Sequence, residues 1–200
     1  MKYIIFDLEF NSAFKIDRRT KKLMRGNTNP LCPQEIIEIG AVKVNSEFDV
    51  IDTFKMFVKP QLYIKVHPKV KQKTGITKED LLDGISLEDA IESFKGWIED
   101  DDFILCSWGQ DDIKELKRNC EFFKIEMNWI KRYCDIQRMC MEYLELPKGM
   151  QIGLKKAVEM FNIDVDNKFH KALNDSIYTS KVLKAFNNEN SKIHEIKYEN

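Results

Sequence analysis

Near its start the chain carries an apolar run, Tyr3-Ile4-Ile5-Phe6, that ends in two acids one residue apart, Asp7-Leu8-Glu9. A short run of this kind reads as a buried strand. Successive side chains of a strand point to opposite faces, so Asp7 and Glu9 share one face. Two carboxylates side by side disfavour joint ionisation unless a cation or solvent lies between them. Any fold that buries this strand must therefore find something to neutralise its end. Alone, the pair is equally compatible with an exposed hairpin edge. It becomes a metal-site candidate only if further acids arrive from elsewhere in the chain.

The following pattern predicts where they could come from. Ile36-Ile37-Glu38-Ile39-Gly40-Ala41-Val42-Lys43-Val44 and Thr53-Phe54-Lys55-Met56-Phe57-Val58-Lys59-Pro60 read as strands, with residues 45–52 turning between them. From Ser86 the period becomes helical. Ser86-Leu87-Glu88-Asp89 resembles a capping box, and Leu87, Ala90, Ile91, Phe94, Trp97 and Ile98 follow on one helix face. Phe103 to Ser107 is another short buried strand, and a helix from about Asp111 carries Ile113, Leu116, Cys120 and Phe123. Asp135 caps a predicted helix with Ile136, Met139, Cys140 and Tyr143 inside, and Gly153 precedes one with Leu154, Ala157, Val158 and Phe161. The last helix takes in Leu173, Ile177, Ser180 and Leu183. Strands first, then strand and helices mixed, predict an α/β fold with a mixed sheet. One domain over 1–187 is expected, followed by a polar tail over 188–200.

Composition narrows the classes of function. Of 200 residues 43% are hydrophobic and 32% charged, with a net charge of −1. No overall basic field is available for nucleic acid, so such binding must use local patches. The five cysteines (Cys32, Cys106, Cys120, Cys134 and Cys140) form no C-x-x-C pair and are odd in number, which points to reduced thiols, not a zinc site or disulfide frame. No stretch approaches the ~18 apolar residues of a membrane span, and no signal-peptide pattern precedes the first strand. A cytoplasmic protein without a membrane partner is expected.

Two further acidic positions stand out. The strand ending at Ser107 leads into Trp108-Gly109-Gln110-Asp111-Asp112, at the carboxyl edge of the sheet where open α/β folds collect ligands. Acids that open a helix also simply suit its dipole. Near the C-terminus stands His170-Lys171-Ala172-Leu173-Asn174-Asp175. On one continuous helix, His170 and Asp175 would face ~140° apart. They can share a site only if His170 lies in the loop before the helix and folds back.

As an ordered set, Asp7-x-Glu9, an aspartate after a Trp-Gly turn, and His-x4-Asp resemble the three motifs of the DEDDh group of 3′→5′ exonucleases, which have the DnaQ-like, ribonuclease H-like fold. Ile36–Val42, Phe57-Val58-Lys59-Pro60, Thr74-Gly75-Ile76-Thr77 and Gly153-Leu154-Lys155-Lys156-Ala157 are supporting matches, and the resemblance spans roughly residues 3–186. Cys106-Ser107-Trp108-Gly109-x-x-Asp112 most resembles the branch with KapD-type and RNA-interference-limiting exoribonucleases. The resemblance implies a mixed sheet with helices on both faces, and Asp7, Glu9, Asp112 and Asp175 as metal-binding acids with His170 as general base. The family's Trp-Gly-x-x-Asp spacing selects Asp112 over Asp111. It further implies two divalent cations, Mg²⁺ or Mn²⁺, and hydrolysis of single-stranded RNA or DNA from the 3′ end to nucleoside 5′-monophosphates, with RNA favoured. Hard cations of this kind select oxygen ligands. Related enzymes are sometimes homodimers, which leaves that state open.

Grip on a single strand requires stacking faces and a basic track. Phe10 and Trp108 flank the acids in sequence and are the candidate substrate-binding aromatics, with a core role for Trp108 equally compatible. The basic segment 11–34, with Lys15, Arg18, Arg19, Lys21, Lys22 and Arg25 against Asp17, exceeds what a hairpin needs and reads as an insertion or flap. Lys65, Lys69, Lys71 and Lys73 are further phosphate-binding candidates. His67 and His194 lack convergent partners and receive no catalytic role. Three alternatives stay open: a DNA proofreading or repair exonuclease, a non-catalytic nucleic-acid-binding regulator on the same fold, and a carboxylate-rich metal buffer.

Overall fold

The structure is a computed structural model, and it describes residues 2–99, 102–147 and 149–188. In chain order the elements are β1 (Lys2–Asn11), β2 (Phe14–Ile16), β3 (Leu23–Arg25), β4 (Glu35–Val44), β5 (Val50–Phe57), α1 (Pro68–Thr74), α2 (Lys78–Leu82), α3 (Leu87–Ile98), β6 (Phe103–Ser107), α4 (Asp111–Phe123), β7 (Tyr133–Asp135), α5 (Ile136–Tyr143), α6 (Leu154–Met160) and α7 (Ala172–Asn188). Five strands form one sheet in the order β5-β4-β1-β6-β7. β1 pairs antiparallel with β4 and parallel with β6, so the sheet is mixed, and β1 lies at its centre.

Alternation along β1 divides the core. Ile4, Phe6 and Leu8 face α3 and α4, packing with Ile91, Phe94, Ile113 and Leu116. Ile5 faces the other way, with Val42, Ile104 and Cys106, against α5, α6 and α7 through Cys140, Val158, Tyr178 and Val182. Helices therefore cover both faces, as expected for the ribonuclease H-like class. Burying side chains such as Ile4, Ile5 and Phe6 stabilises by about 1.5–3 kcal/mol each, and this offsets the cost of placing two acids at the end of the same strand. All five cysteines are buried and unpaired. No helix among the described residues is long and apolar enough to cross a membrane.

Several elements differ from the expected pattern. Segment 11–34 contains a short hairpin, β2 against β3, in place of one long loop. β5 starts at Val50, because the Asn45 side chain closes a tighter turn by accepting from the N–H groups of Glu47 and Asp49. It stops at Phe57, after which Val58 bridges to Ile85. α1 and α2 are too short to show a hydrophobic period. Thr77 and Asp80 nevertheless form a complete capping box at the start of α2. β7 is only three residues long and adds to the sheet by pairing with β6. The tail expected over 188–200 lies, beyond Asn188, outside the described residues, as does His194.

Candidate active site

The odd-numbered face of β1 places Asp7 and Glu9 beneath the start of α7. In the β1–β4 register, Asp7 lies opposite Gly40 and Glu9 opposite Glu38, and the register slips by one residue immediately after Glu9. Such bulges re-aim side chains beside functional sites. Gly40 has no side chain, and α7 uses the space. A Cβ at that position would stand 2.0 Å from the Leu173 nitrogen and 2.2 Å from the Ala172 carbonyl carbon. The Ser176 hydroxyl fastens the two elements by donating to the Gly40 carbonyl at 2.9 Å. The first turn of α7 thus rests directly on the strand backbone, and this close approach delivers Asp175. Carboxylate oxygens of Asp7, Glu9 and Asp175 lie within 4.8 Å of one another.

Asp112 reaches the same region from the neighbouring strand. β6 pairs with β1 only as far as Ile5 opposite Cys106, so the Leu8 N–H beyond that point has no partner on β6. The Asp112 carboxylate accepts it at 3.3 Å. The turn that aims Asp112 is held at Gly109, with φ of +82°, whose carbonyl accepts from the Ser107 and Tyr133 hydroxyls at 2.7 and 2.6 Å. Asp112 is buried while Asp111 is exposed. Asp112 lies outside the tight three-carboxylate group, but its charge acts on Asp7.

His170 lies in the loop before α7, in the left-handed conformation at φ +65°. Its backbone N–H donates to both oxygens of Asp175, at 3.1 and 3.2 Å. The loop folds back to bring the two residues together, which a continuous helix could not do. Tyr178 pins the loop by hydroxyl contacts to the backbone of Asn167 and by stacking on Phe169 at 4.6 Å, and Asn174 donates to the Lys168 carbonyl.

Burial is the main cause that raises every acid of this cluster. Asp7 is held well above the usual carboxylate range by burial and then by the charges of Asp112, Asp175 and Glu9. Glu9 is pushed up to about 8, Asp112 to about 7 and Asp175 to about 6. Lys73, near the end of α1, opposes the rise at Glu9 and Asp175. His170 is lowered, first by burial and then by Lys73 and Lys155, which favours the neutral imidazole.

Glu38 joins the site although the sequence motifs do not single it out. It is buried opposite Glu9, its Oε1 is 3.5 Å from Lys55 Nζ, and its Oε2 has no hydrogen-bond partner. Burial raises it, while Lys55 and the Ala172 N–H oppose that rise. The one available signal is an acid in the middle of the otherwise apolar run Ile36–Val42. Of the candidate aromatics, Trp108 packs against the core beneath α5–α7 and donates its indole N–H to the Ile152 carbonyl at 3.1 Å, a structural engagement. Phe10 is half-buried, packs against the core beneath α3 and α4, and lines a groove at the end of β1.

Buried acids that burial itself discourages from ionising, all bearing oxygen donors and converging from β1, α4 and α7, fit hard divalent cations. The exonuclease family model matches residues 4–183. The chain belongs to the exonuclease family. It is a DnaQ-like 3′→5′ exonuclease, and its acidic cluster suits the divalent metal on which such enzymes depend. It is 30% identical, over 75% of its length and 72% of the relative's, to the probable 3′-5′ exonuclease KapD of Bacillus subtilis. It is 27% identical to the DNA polymerase III PolC-type of Thermotoga petrophila, over 92% of its own length but only 13% of that protein. Its fold matches the nuclease domain of 3′hExo, a DEDDh family member solved bound to rAMP. That match has a TM-score of 0.82 at 19% identity and covers all of this chain and 96% of that one.

Proposed function

We propose that this exonuclease removes nucleotides one at a time from the 3′ end of single-stranded nucleic acid, preferring RNA to DNA and releasing nucleoside 5′-monophosphates, with two Mg²⁺ or Mn²⁺ ions. The observation that carries the reading is the convergence of Asp7, Glu9 and Asp175 within 4.8 Å, with Asp112 beside Asp7 and His170 anchored on Asp175. Asp7, Glu9, Asp112 and Asp175 would hold the ions, which supply positive charge at the scissile phosphate and favour a nucleophilic water. The neutral imidazole of His170 takes the proton of the attacking water. Water oxygen bonds to phosphorus, the P–O3′ bond breaks, the leaving 3′ oxygen takes a proton from solvent water to become a free hydroxyl, and His170 returns its proton to solvent. The fixed loop at residues 167–170 holds the base in position.

The RNA preference is supported by the likeness, at 22% identity, to the 3′-5′ exoribonuclease 1 of Rattus norvegicus, and by the fold shared with a DEDDh nuclease solved bound to rAMP. The match to a DNA polymerase over 92% of this chain supports the second reading, a DNA exonuclease. Paired 5′-labelled RNA and DNA oligomers of one sequence, incubated with Mn²⁺ or with chelator, separate the two. The expected result is a metal-dependent ladder that descends from the 3′ end, faster on RNA and absent for Asp7→Asn. Faster cleavage of DNA would overturn the preference, and no mononucleotide from either strand would overturn the activity.

A further inference from the structure

We infer that Glu38 is a positioning residue for the reaction: from β4 it caps the N-terminus of α7, and so holds Asp175 and the His170 loop against Asp7 and Glu9. The inference rests on the exonuclease reading above. α7 needs a cap that its own sequence does not provide. The Asp175 N–H donates to the Lys171 carbonyl, which puts Lys171 at the cap position before Ala172. A lysine side chain only donates, so it cannot accept the N–H groups that open the helix. The strand beneath can. Glu38 lies opposite Glu9 and Gly40 opposite Asp7, so all four residues share one sheet face. The first turn of α7 rests on that face at Gly40, where a Cβ would stand 2.2 Å from the Ala172 carbonyl carbon. Glu38 is two residues along, ~7 Å by strand geometry. The Ala172 N–H acts on its carboxylate as a hydrogen-bond donor. A carboxylate at this place also suits the positive end of the helix dipole.

Stability alone does not account for an acid here. Glu38 is 1% exposed and its Oε2 is buried without a hydrogen-bond partner. An apolar side chain of similar size is less costly to bury. Lys55 makes the acid tolerable beside Glu9. Its Nζ is 3.5 Å from Glu38 Oε1 and 4.6 Å from the centre of the Phe57 ring, which holds the ammonium from a second side. A fixed ammonium at that distance also repels a divalent ion, so Glu38 is suited to serve the helix and not the metal. Glu38, Lys55 and Lys171 line one small cavity of about 130 Å³, which places the cap position of α7 beside the carboxylate.

The test compares Glu38→Met, which keeps the side-chain length and removes the acceptor, with Glu38→Gln, which keeps an acceptor oxygen without the charge. Each is read by turnover of a 5′-labelled single-stranded oligoribonucleotide at saturating Mn²⁺, by Mn²⁺ calorimetry and by amide exchange at Ala172. Glu38→Met is expected to lower kcat about 10²-fold with KM within about threefold, and to speed Ala172 exchange about tenfold. Adding Lys171→Ser gives α7 a cap of its own and should restore both to within about fivefold of wild type. Glu38→Gln should lose no more than about fivefold in kcat and bind Mn²⁺ as tightly as wild type. Three results would overturn the positioning role: wild-type kcat or unchanged Ala172 exchange in Glu38→Met, no recovery with Lys171→Ser, or Mn²⁺ affinity lowered about tenfold in Glu38→Gln. If neither Glu38→Met nor the double variant folds, Glu38 supports the whole fold, and a role confined to α7 is likewise overturned. None of these touches the exonuclease reading, which falls only if wild-type protein releases no nucleotide, and the positioning role falls with it.

Discussion

Gly40→Ala is the smallest change that should dismantle the site without touching an acid. The new Cβ would stand 2.0 Å from the Leu173 nitrogen, and ordinary van der Waals separation begins at 3.4 Å, so the two backbones must separate by about 1.4 Å. The obstructing atoms are backbone and cannot rotate away. β4 is hydrogen-bonded on both sides, to β1 and β5, so the start of α7 must move. Asp175 is in that first turn and would move from Asp7 and Glu9, taking the His170 loop with it. A displacement of about 1 Å in a catalytic constellation costs about 10²-fold in rate, and overpacking costs about 1–3 kcal/mol of stability. The assay is oligonucleotide turnover across a Mn²⁺ titration, with a thermal melt alongside. Val182→Ala is the control. It opens a cavity in the same helix, about 10 Å along the axis from Asp175, and should lower the melting temperature while kcat holds. A Gly40→Ala enzyme with wild-type turnover and metal affinity would refute the argument that this close approach sets Asp175.

Asp112→Asn should lose activity by about 10³-fold, from the several kcal/mol that bound cations supply, while Asp111→Asn should stay near wild type in the same ladder assay. His170→Ala should slow hydrolysis by about 10²–10⁴-fold yet bind Mn²⁺ nearly as well by calorimetry, because its side chain is assigned to the proton and not the ion. Metal-free protein should lose thermal stability as pH rises from about 6.5 to about 8.5. Glu9 and Asp112 have folded-state values of about 8 and about 7, above their ordinary range, so the folded state holds more protons there and that stability disappears as pH passes through them. The lowered His67 and His170 act in the opposite sense, but only below about pH 6.5. Saturating Mn²⁺ should flatten the decline, and a chelated protein with constant melting temperature across that window would contradict the assignment.

Much of the fold is legible in the sequence because its elements repeat locally. The alternation around Asp7 and Glu9, and the helical spacing from Leu87, Ile113 and Leu173, follow from strand and helix geometry alone. The resemblance, through the family's Trp-Gly-x-x-Asp motif, favours Asp112 over Asp111, and the structure buries the first and exposes the second. The hairpin in 11–34 and the three-residue β7 are not legible, since such short elements carry no period and gain their stability from partners distant in sequence. Trp108 lies between two readings because an aromatic beside a strand end looks the same whether it packs inward or outward. The structure gives its indole to the Ile152 carbonyl.

The sequence by itself determined that two acids share a strand face, because strand period is a local property, while the roles expected of Asp112, Asp175 and His170 came from the resemblance of an ordered set of motifs to a family. Only the tertiary structure decided that the acids meet. That depends on a missing side chain at Gly40, on a Leu8 N–H left open where β6 ends, and on a left-handed residue at His170. It also decided that Glu38 lies opposite Glu9. These are distances between segments up to 168 positions apart in the chain, from Asp7 to Asp175, and they are set by packing and register, which no local pattern encodes.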